Sequence, residues 1–395
     1  MTYTIAFVHS FYGSGSPSGE NCAVLAQLEA LRRAGHETHL VAARTDELSR
    51  TPLYPLRAAT TVATGHGLSP LPALRHLRPD VVHVHNLFPN FGRRWLARWE
   101  GAVVGTLHNY RALCASATFY RQGATCTRCL DGDRWAGLRY GCYRSSRTAT
   151  VPLAWANRKQ AAADPLLHRA DRLVVLSGTS RQMYLRAGIP QQRLALVPNF
   201  TADPPELSAG RGSGSSPADE TCSRWVYVGR ISEEKGLVEL LSRWPADEPL
   251  DVIGDGPLAE ECRRVAPPTV CFLGELPHDE LRRRLPSQRG LVFPGRCLEG
   301  AEPLVYIEAL AAGLGVIAFT GSTVGQLVRE QGTGMTIGTD EPLRPALLRA
   351  SEHFPTLRAH CRQAFADRYA ESTWTAGMEK VYAAAITQRR SRVLE

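Results

Sequence analysis

The sequence predicts an α/β protein built from two doubly wound, Rossmann-like domains, and three features predict it. Short apolar runs alternate with amphipathic helical stretches along most of the chain. Residues 201–224, TADPPELSAGRGSGSSPADETCSR, carry Pro, Gly and Ser without periodicity and break that alternation in two. At 395 residues the chain is long enough for two ordinary cores. The expected organisation is a first domain over 1–200, a flexible linker or loop over 201–224, a second domain over 225–370 and a C-terminal helix over 371–395.

The first strand, YTIAFV, leads into the glycine- and serine-rich turn HSFYGSGSPSG. In the following ENCAVLAQLEALRRAGHE, Val24, Leu28 and Leu31 share one helical face and Gly35 supplies the stop. THLVAA comes next and completes a βαβ unit. Its glycine-rich turn lies at the C-terminal end of the first strand, where open α/β sheets bind ligands. PDVVHVHN and AVVGTLHN are nearly continuous apolar runs, as buried parallel strands are, and ADRLVVLS and RLALVPNF close the half. Beyond the linker WVYVG, LDVIG, VCFLG, GLVFP and GVIAF each precede a helical segment, five strand–helix repeats. The tail STWTAGMEKVYAAAITQRR reads as a helix that packs back across the first domain. The two domains are expected to face each other across a cleft, the usual place for a small ligand.

Composition narrows the class. With 44% hydrophobic and 21% charged residues the chain is globular, and no window approaches 18 consecutive apolar residues. The opening residues lack a basic n-region and an A-x-A-like cleavage site, so a cytoplasmic location is expected. The ten cysteines are then thiols or metal ligands rather than disulfides. The net charge of +8 is carried by 43 arginines against three lysines, Lys159, Lys235 and Lys380. A codon-biased genome accounts for that imbalance. The other reading is a basic face toward a phosphorylated substrate or an anionic membrane, with weak association at the inner membrane face. No helix-turn-helix, RNA-binding signature or basic block with interleaved aromatics is present, so nucleic acid is not an expected partner.

Candidate chemistry concentrates in the second half. In VGRISEEKG, Arg230 and Lys235 flank a turn at a strand's C-terminal end, and both cations can meet an anion such as a diphosphate. A lysine is informative where the chain otherwise uses arginine. IGDGPL places Gly254 and Gly256 around a strand-to-helix turn, and FLG ends the next strand at Gly274, in a layer whose backbone can bond a base edge. CLEGAEPLVYIEALAAG follows the fourth strand. There Pro303 suits the first position of a helix, Leu304, Ile307, Leu310 and Ala311 form its apolar side, and Gly313 stops it. The helix start attracts anions, and Glu308 in its second turn can accept from the vicinal hydroxyls of a ribose. Carboxylates beside a diphosphate make sense only where they bind neutral hydroxyls on either side of it, the geometry a nucleotide-sugar needs.

The order VGR…EEKG, IGDGPL, FLG, EG…PLVYIEALAAG, with PSGE and VVHVHN upstream, resembles the family 4 glycosyltransferases of the GT-B fold over essentially the whole chain. The resemblance implies a retaining hexosyl or N-acetylhexosaminyl transferase without a catalytic metal. Its donor would be a nucleoside-diphosphate sugar, most simply a UDP-sugar, and its acceptor a hydroxyl of a glycan, a lipid-linked sugar or a small molecule. By that resemblance Arg230 and Lys235 hold the diphosphate, with Leu304 at the helix start. Glu308 holds the ribose, the earlier glutamate holds the donor sugar, Gly19 approaches the phosphates and His108 of TLHN touches the donor sugar. The other reading of His108 is a buried histidine at a strand end. One departure matters: the family's paired glutamates have seven residues between them, whereas Glu299 and Glu308 here have eight and Glu302 and Glu308 five. A one-residue insertion before Pro303 keeps Glu299 in the pair and makes Glu302 a helix-capping carboxylate.

A cysteine-rich insert over 110–147 carries Cys114, Cys126, Cys129 and Cys142, with one C-x-x-C knuckle. Four thiolates suit a tetrahedral structural zinc; buried free thiols are the alternative. Two further functions share the two-domain architecture. A sugar-nucleotide 2-epimerase would need acid and base carboxylates around C2 of the sugar, and a non-catalytic nucleotide-sugar-binding protein would need only the donor site.

Overall fold

The computed structural model describes residues 2–13, 18–159, 161–202 and 224–394. Residues 14–17 of the first turn and most of the expected 201–224 linker lie outside the described residues. The chain divides into two compact units, one comprising 1–121, 126–198 and 374–395, the other 122–125 and 199–373.

The strands are β1 (Thr4–Phe11), β2 (Glu37–Arg44), β3 (Val81–Asn86), β4 (Ala102–Leu107), a small hairpin of β5 (Tyr120–Arg121) and β6 (Ala124–Thr125), β7 (Arg172–Val175) and β8 (Leu194–Leu196). Six of these make the first unit's sheet, in the order β2-β1-β3-β4-β7-β8, and all its pairs are parallel. Every residue of β3 and β4 is buried, as expected where helices cover both faces. Gly105 has no room for a side chain without pressing on Leu166 and Leu173, which lie 3.2–3.4 Å from where its Cβ would stand. The helix Gly19–Arg33 begins at Ser18, whose hydroxyl accepts from the Asn21 N–H, and buries Val24, Leu28 and Leu31.

The C-terminal helix Glu371–Leu394 belongs to this unit from Trp374 onward. Its contacts are specific. The Tyr382 hydroxyl bonds His83 Nδ1 at 2.8 Å in a buried setting, and Glu379 bonds His36 Nε2 at 3.1 Å.

The second unit holds β9 (Trp225–Val228), β10 (Leu250–Ile253), β11 (Val270–Gly274), β12 (Gly290–Phe293), β13 (Val316–Phe319) and β14 (Gly334–Ile337). They form a parallel sheet in the order β11-β10-β9-β12-β13-β14. The five expected strands are all present. The sixth, β14, reads GMTI and is mostly half-buried at the sheet edge, so it lacks the continuous apolar run that marks the others. The long helix Leu343–Tyr369 closes one face. Its Phe354 ring meets Trp225 edge-on at 5.9 Å, and it occupies the space where side chains at Gly290 and Gly315 would be.

Both sheets are doubly wound, and each has a switch point where neighbouring strands send their connections to opposite faces. These fall between β1 and β3 in the first unit and between β9 and β12 in the second.

Candidate active site

At the second unit's switch point the turn after β9 meets the loop after β12. The turn runs through the 3-10 segment Glu233–Lys235 into Gly236, which has φ +69°; a Cβ there would lie 2.7 Å from the Pro294 carbonyl oxygen. Lys235 Nζ donates to Glu299 Oε1 at 2.5 Å, with both side chains about a quarter exposed. Burial works against the lysine's charge. Glu299 outweighs that, with help from Cys297 and Tyr227, so the ammonium is held above the ordinary lysine range. The Lys235 ammonium also stands 5.7 Å from the Phe293 ring centroid. Glu299 is fixed from two more directions. Its N–H donates to Thr323 Oγ1 at 2.9 Å, and the Cys297 thiol donates to Oε1 at 3.4 Å. Burial, followed by the neighbouring carboxylate, pushes the Cys297 thiol well up, so it stays protonated.

Arg230 is exposed at the end of the same turn, and among the described residues no acid pairs with its guanidinium. Gly254 and Gly256 are required by contact rather than convention: a Cβ on either would fall 2.1 Å from the Gly229 oxygen or 2.3 Å from the Ile231 oxygen. Gly254 also donates its N–H to the Gly274 carbonyl at 2.7 Å, so the three glycines join the ends of β9, β10 and β11. Leu304 opens the helix Leu304–Ala311, which no side chain caps. Its N–H is one of the donors that a helix start leaves for a ligand.

The three glutamates separate. Glu299 belongs to Lys235. Glu308, nearly buried, is held by His278, an interaction that sequence reasoning missed because a histidine in the polar run PHDELRR gives no periodic signal. The Glu308 hydrogen bond raises the His278 pKa above the ordinary imidazole value, against partial burial. Glu302 is not a helix cap. Pro303 occupies the cap position, and the fully buried Glu302 carboxylate accepts from Arg368 Nη2 at 2.5 Å. Burial pushes its carboxyl up, while Arg368 and Tyr369 act in the opposite direction. Thr323, the other missed residue, begins the helix Thr323–Gln331.

In the first unit Gly19 is the first residue of its helix, directly after the Ser18 cap. His108 follows β4, and its Nε2 lies 3.1 Å from His85 Nδ1. Behind His85 the chain of rings continues to His83 at 4.0 Å, whose Nε2 meets Thr106 Oγ1 at 2.7 Å. Burial, then the neighbouring His9, pushes the His108 pKa down to about 3. At neutral pH His108 is therefore an uncharged hydrogen-bonding group. Nearby, Glu20 accepts from Asn109 Nδ2 at 3.2 Å, and burial raises its carboxyl to about 7 despite Arg111.

Cys114, Cys126, Cys129 and Cys142 are close enough to influence one another, and burial followed by Cys114 raises the Cys129 thiol to about 11. Yet among the described residues no three His, Cys, Asp or Glu side chains are arranged to hold a metal ion.

Comparison with known proteins fits this architecture. The model described as Glycosyltransferase Family 4 matches residues 23–202, and that described as Glycosyl transferases group 1 matches 223–351. The two models together with the fold support a family 4-like glycosyltransferase of the GT-B fold. Solved glycosyltransferases share its fold at low identity. Sucrose-phosphate synthase from Thermosynechococcus elongatus is 19% identical with a TM-score of 0.65, over 96% of this chain and 98% of that one. Anabaena Alr3699/HepE in complex with UDP and glucose is 14% identical with a TM-score of 0.60, over 97% and 100%. WaaG, a glycosyltransferase involved in lipopolysaccharide biosynthesis, is 14% identical with a TM-score of 0.58, over 97% and 99%. No curated protein sequence matches the chain.

The separation of Glu302 from the other two glutamates has a direct consequence. Arg368→Ala leaves a buried carboxylate without its cation, and urea unfolding should show a loss of about 1–3 kcal/mol. Glu302→Gln should cost less, because the one-third-exposed Arg368 can turn to water. Unchanged stability in both variants would contradict the pairing.

Proposed function

We propose that this glycosyltransferase moves a hexosyl or N-acetylhexosaminyl unit from a UDP-sugar to a hydroxyl acceptor with retention of anomeric configuration. The observation that carries the reading is Lys235 clamped to Glu299 at the switch point of the second sheet, with Arg230 exposed on the same turn. An ammonium has three donors, so Lys235 can keep Glu299 and still bond a phosphate oxygen. With Arg230 and the Leu304 helix start it would offset charge growing on the leaving diphosphate, commonly the largest catalytic contribution. Glu299 would accept from hydroxyls of the donor sugar, and Glu308 from the ribose. His108, uncharged at neutral pH, suits a hydrogen bond to a sugar hydroxyl better than proton abstraction. No side chain is needed as a nucleophile: the acceptor oxygen bonds C1 as the C1–O bond to phosphate breaks, and its proton passes to the departing diphosphate. Anabaena Alr3699/HepE in complex with UDP and glucose supports the choice of nucleotide.

The test is incubation with UDP-glucose, UDP-galactose, UDP-N-acetylglucosamine and GDP-mannose, with released nucleotide and products followed by mass spectrometry. Free UDP with a glycosylated acceptor, unaffected by EDTA, is the expected result. A 2-epimerised sugar would mean an epimerase. Tight binding without turnover against a broad acceptor panel would mean a binding protein.

Glu308 cannot serve His278 and a ribose equally, and this predicts a pH effect. The folded pKa of His278 is raised, so its ion pair is present at low pH and is lost as pH rises through that value. UDP binding should therefore tighten between about pH 6 and pH 8.5, a range spanning the imidazole titration. Because His278 is more than half exposed, the gain should be modest, about 2- to 5-fold, as for exposed pairs. His278→Ala should remove the dependence in calorimetric titrations. A variant with the same pH profile as the parent would show that His278 does not compete.

A further inference from the structure

We infer that His85 is a positioning residue for His108 and fixes its proton on Nδ1, so that His108 can only donate to a ligand. The inference rests on the reading of His108 as the group that meets the donor sugar, and it adds the direction of that hydrogen bond.

The two rings share one hydrogen bond, between His85 Nδ1 and His108 Nε2 at 3.1 Å. Burial drives both pKa values far down, so both rings are neutral. A neutral imidazole has one N–H and one bare nitrogen, which leaves two arrangements. In the first, His108 donates from Nε2, His85 accepts on Nδ1, and His85 carries its own proton on Nε2. In the second, His85 donates from Nδ1 and its Nε2 is bare. The surroundings of His85 Nε2 decide between them. That atom is buried and has no hydrogen-bond partner among the described residues. The first arrangement would bury an N–H without an acceptor, and orphaned buried N–H groups are rarer than under-used acceptors. The second arrangement leaves only an unused lone pair.

His9, on the neighbouring strand β1, follows the same rule. Its Nε2 lies 3.0 Å from Asn21 Oδ1, an oxygen that can only accept, so Nε2 carries the proton. The nitrogen of His9 left buried and unpartnered, Nδ1, is then the bare one.

His85 is held against turning. Its ring centroid lies 4.0 Å from that of His83 and 4.6 Å from that of Phe7. His83 is in turn bonded at both nitrogens, to the Tyr382 hydroxyl at 2.8 Å and to Thr106 Oγ1 at 2.7 Å. The support for His108 thus reaches through β3 and β4 to the C-terminal helix, all within the first unit. With Nε2 taken by His85, the half-buried His108 ring offers a ligand its Nδ1–H. Such a group seeks an oxygen lone pair, as a sugar hydroxyl presents, and has no lone pair of its own to take a proton. The acceptor's proton is left to the departing diphosphate.

Long-range proton–nitrogen NMR correlations on the full-length protein, carrying isotope-labelled histidine, show which nitrogen of each ring is protonated. At neutral pH His85 and His108 should both be in the Nδ1–H form. Nε2–H on His108 overturns the assignment, and this measurement needs neither a ligand nor a folded variant. His85→Phe keeps a ring against Phe7 and His83 but removes the donor, so His108 should no longer be held in the Nδ1–H form alone. A folded variant with an unchanged His108 tautomer overturns the positioning role. Calorimetry with UDP and UDP-glucose separates the sugar contact from the rest. His85→Phe should weaken UDP-glucose by about 2- to 10-fold, as loss of one hydrogen bond does, and leave UDP unchanged. Equal weakening of both would make His85 a structural residue only. A parent protein that binds neither nucleotide contradicts the transferase reading alone, because the proton assignment needs no ligand.

Discussion

The second unit depends on a charge that its fold must keep compensated. Lys235 is one of three lysines in the chain, set into a turn whose Gly236 has no space for a side chain, and its ammonium points at Glu299. Without that carboxylate a half-buried ammonium would be costly. Without the ammonium, Glu299 would repel any phosphate brought to the same turn. Each charge makes the other tolerable. The bond also joins the turn after β9 to the loop after β12, and Thr323 ties that loop to the helix following β13. Three βα connections are thus registered to one another at the place where a doubly wound sheet binds its ligand.

The first unit solves the opposite problem. Its switch region gathers His9, His83, His85 and His108, and burial lowers the pKa of all four. Four imidazolium ions could not share such a space, so the group works as uncharged donors and acceptors. Positive charge is concentrated on the turn after β9 and neutral hydrogen bonding on the histidine chain. That division would suit the proposed transfer, with an anionic leaving group and a neutral hydroxyl acceptor.

Much of this was legible in the sequence because it is periodic. The buried strands announce themselves as apolar runs, and all six of the first sheet and five of the second are where those runs lie. β14 was missed because GMTI at a half-exposed edge has no such run. Lys235 stood out by rarity, and Gly254 and Gly256 by their place in a βα turn. What spacing could not reveal was long-range pairing. Glu302 looked like a cap because it precedes a proline and a helix, but its partner Arg368 lies 66 residues away. His278 gave no signal because its partner Glu308 is likewise distant in sequence.

If Lys235 and Glu299 act as one unit in donor turnover, a double-mutant cycle will show it. kcat/KM would be measured for the parent, Lys235→Ala, Glu299→Gln and the double variant with one donor and one acceptor. Each single variant should lose a charge-assisted contact of about 1.5–3 kcal/mol, roughly 10- to 150-fold. The double variant should be little worse than the poorer single one, with a coupling energy of at least about 1 kcal/mol. Two losses that simply multiply, or a fully active Lys235→Ala enzyme, would contradict the claim.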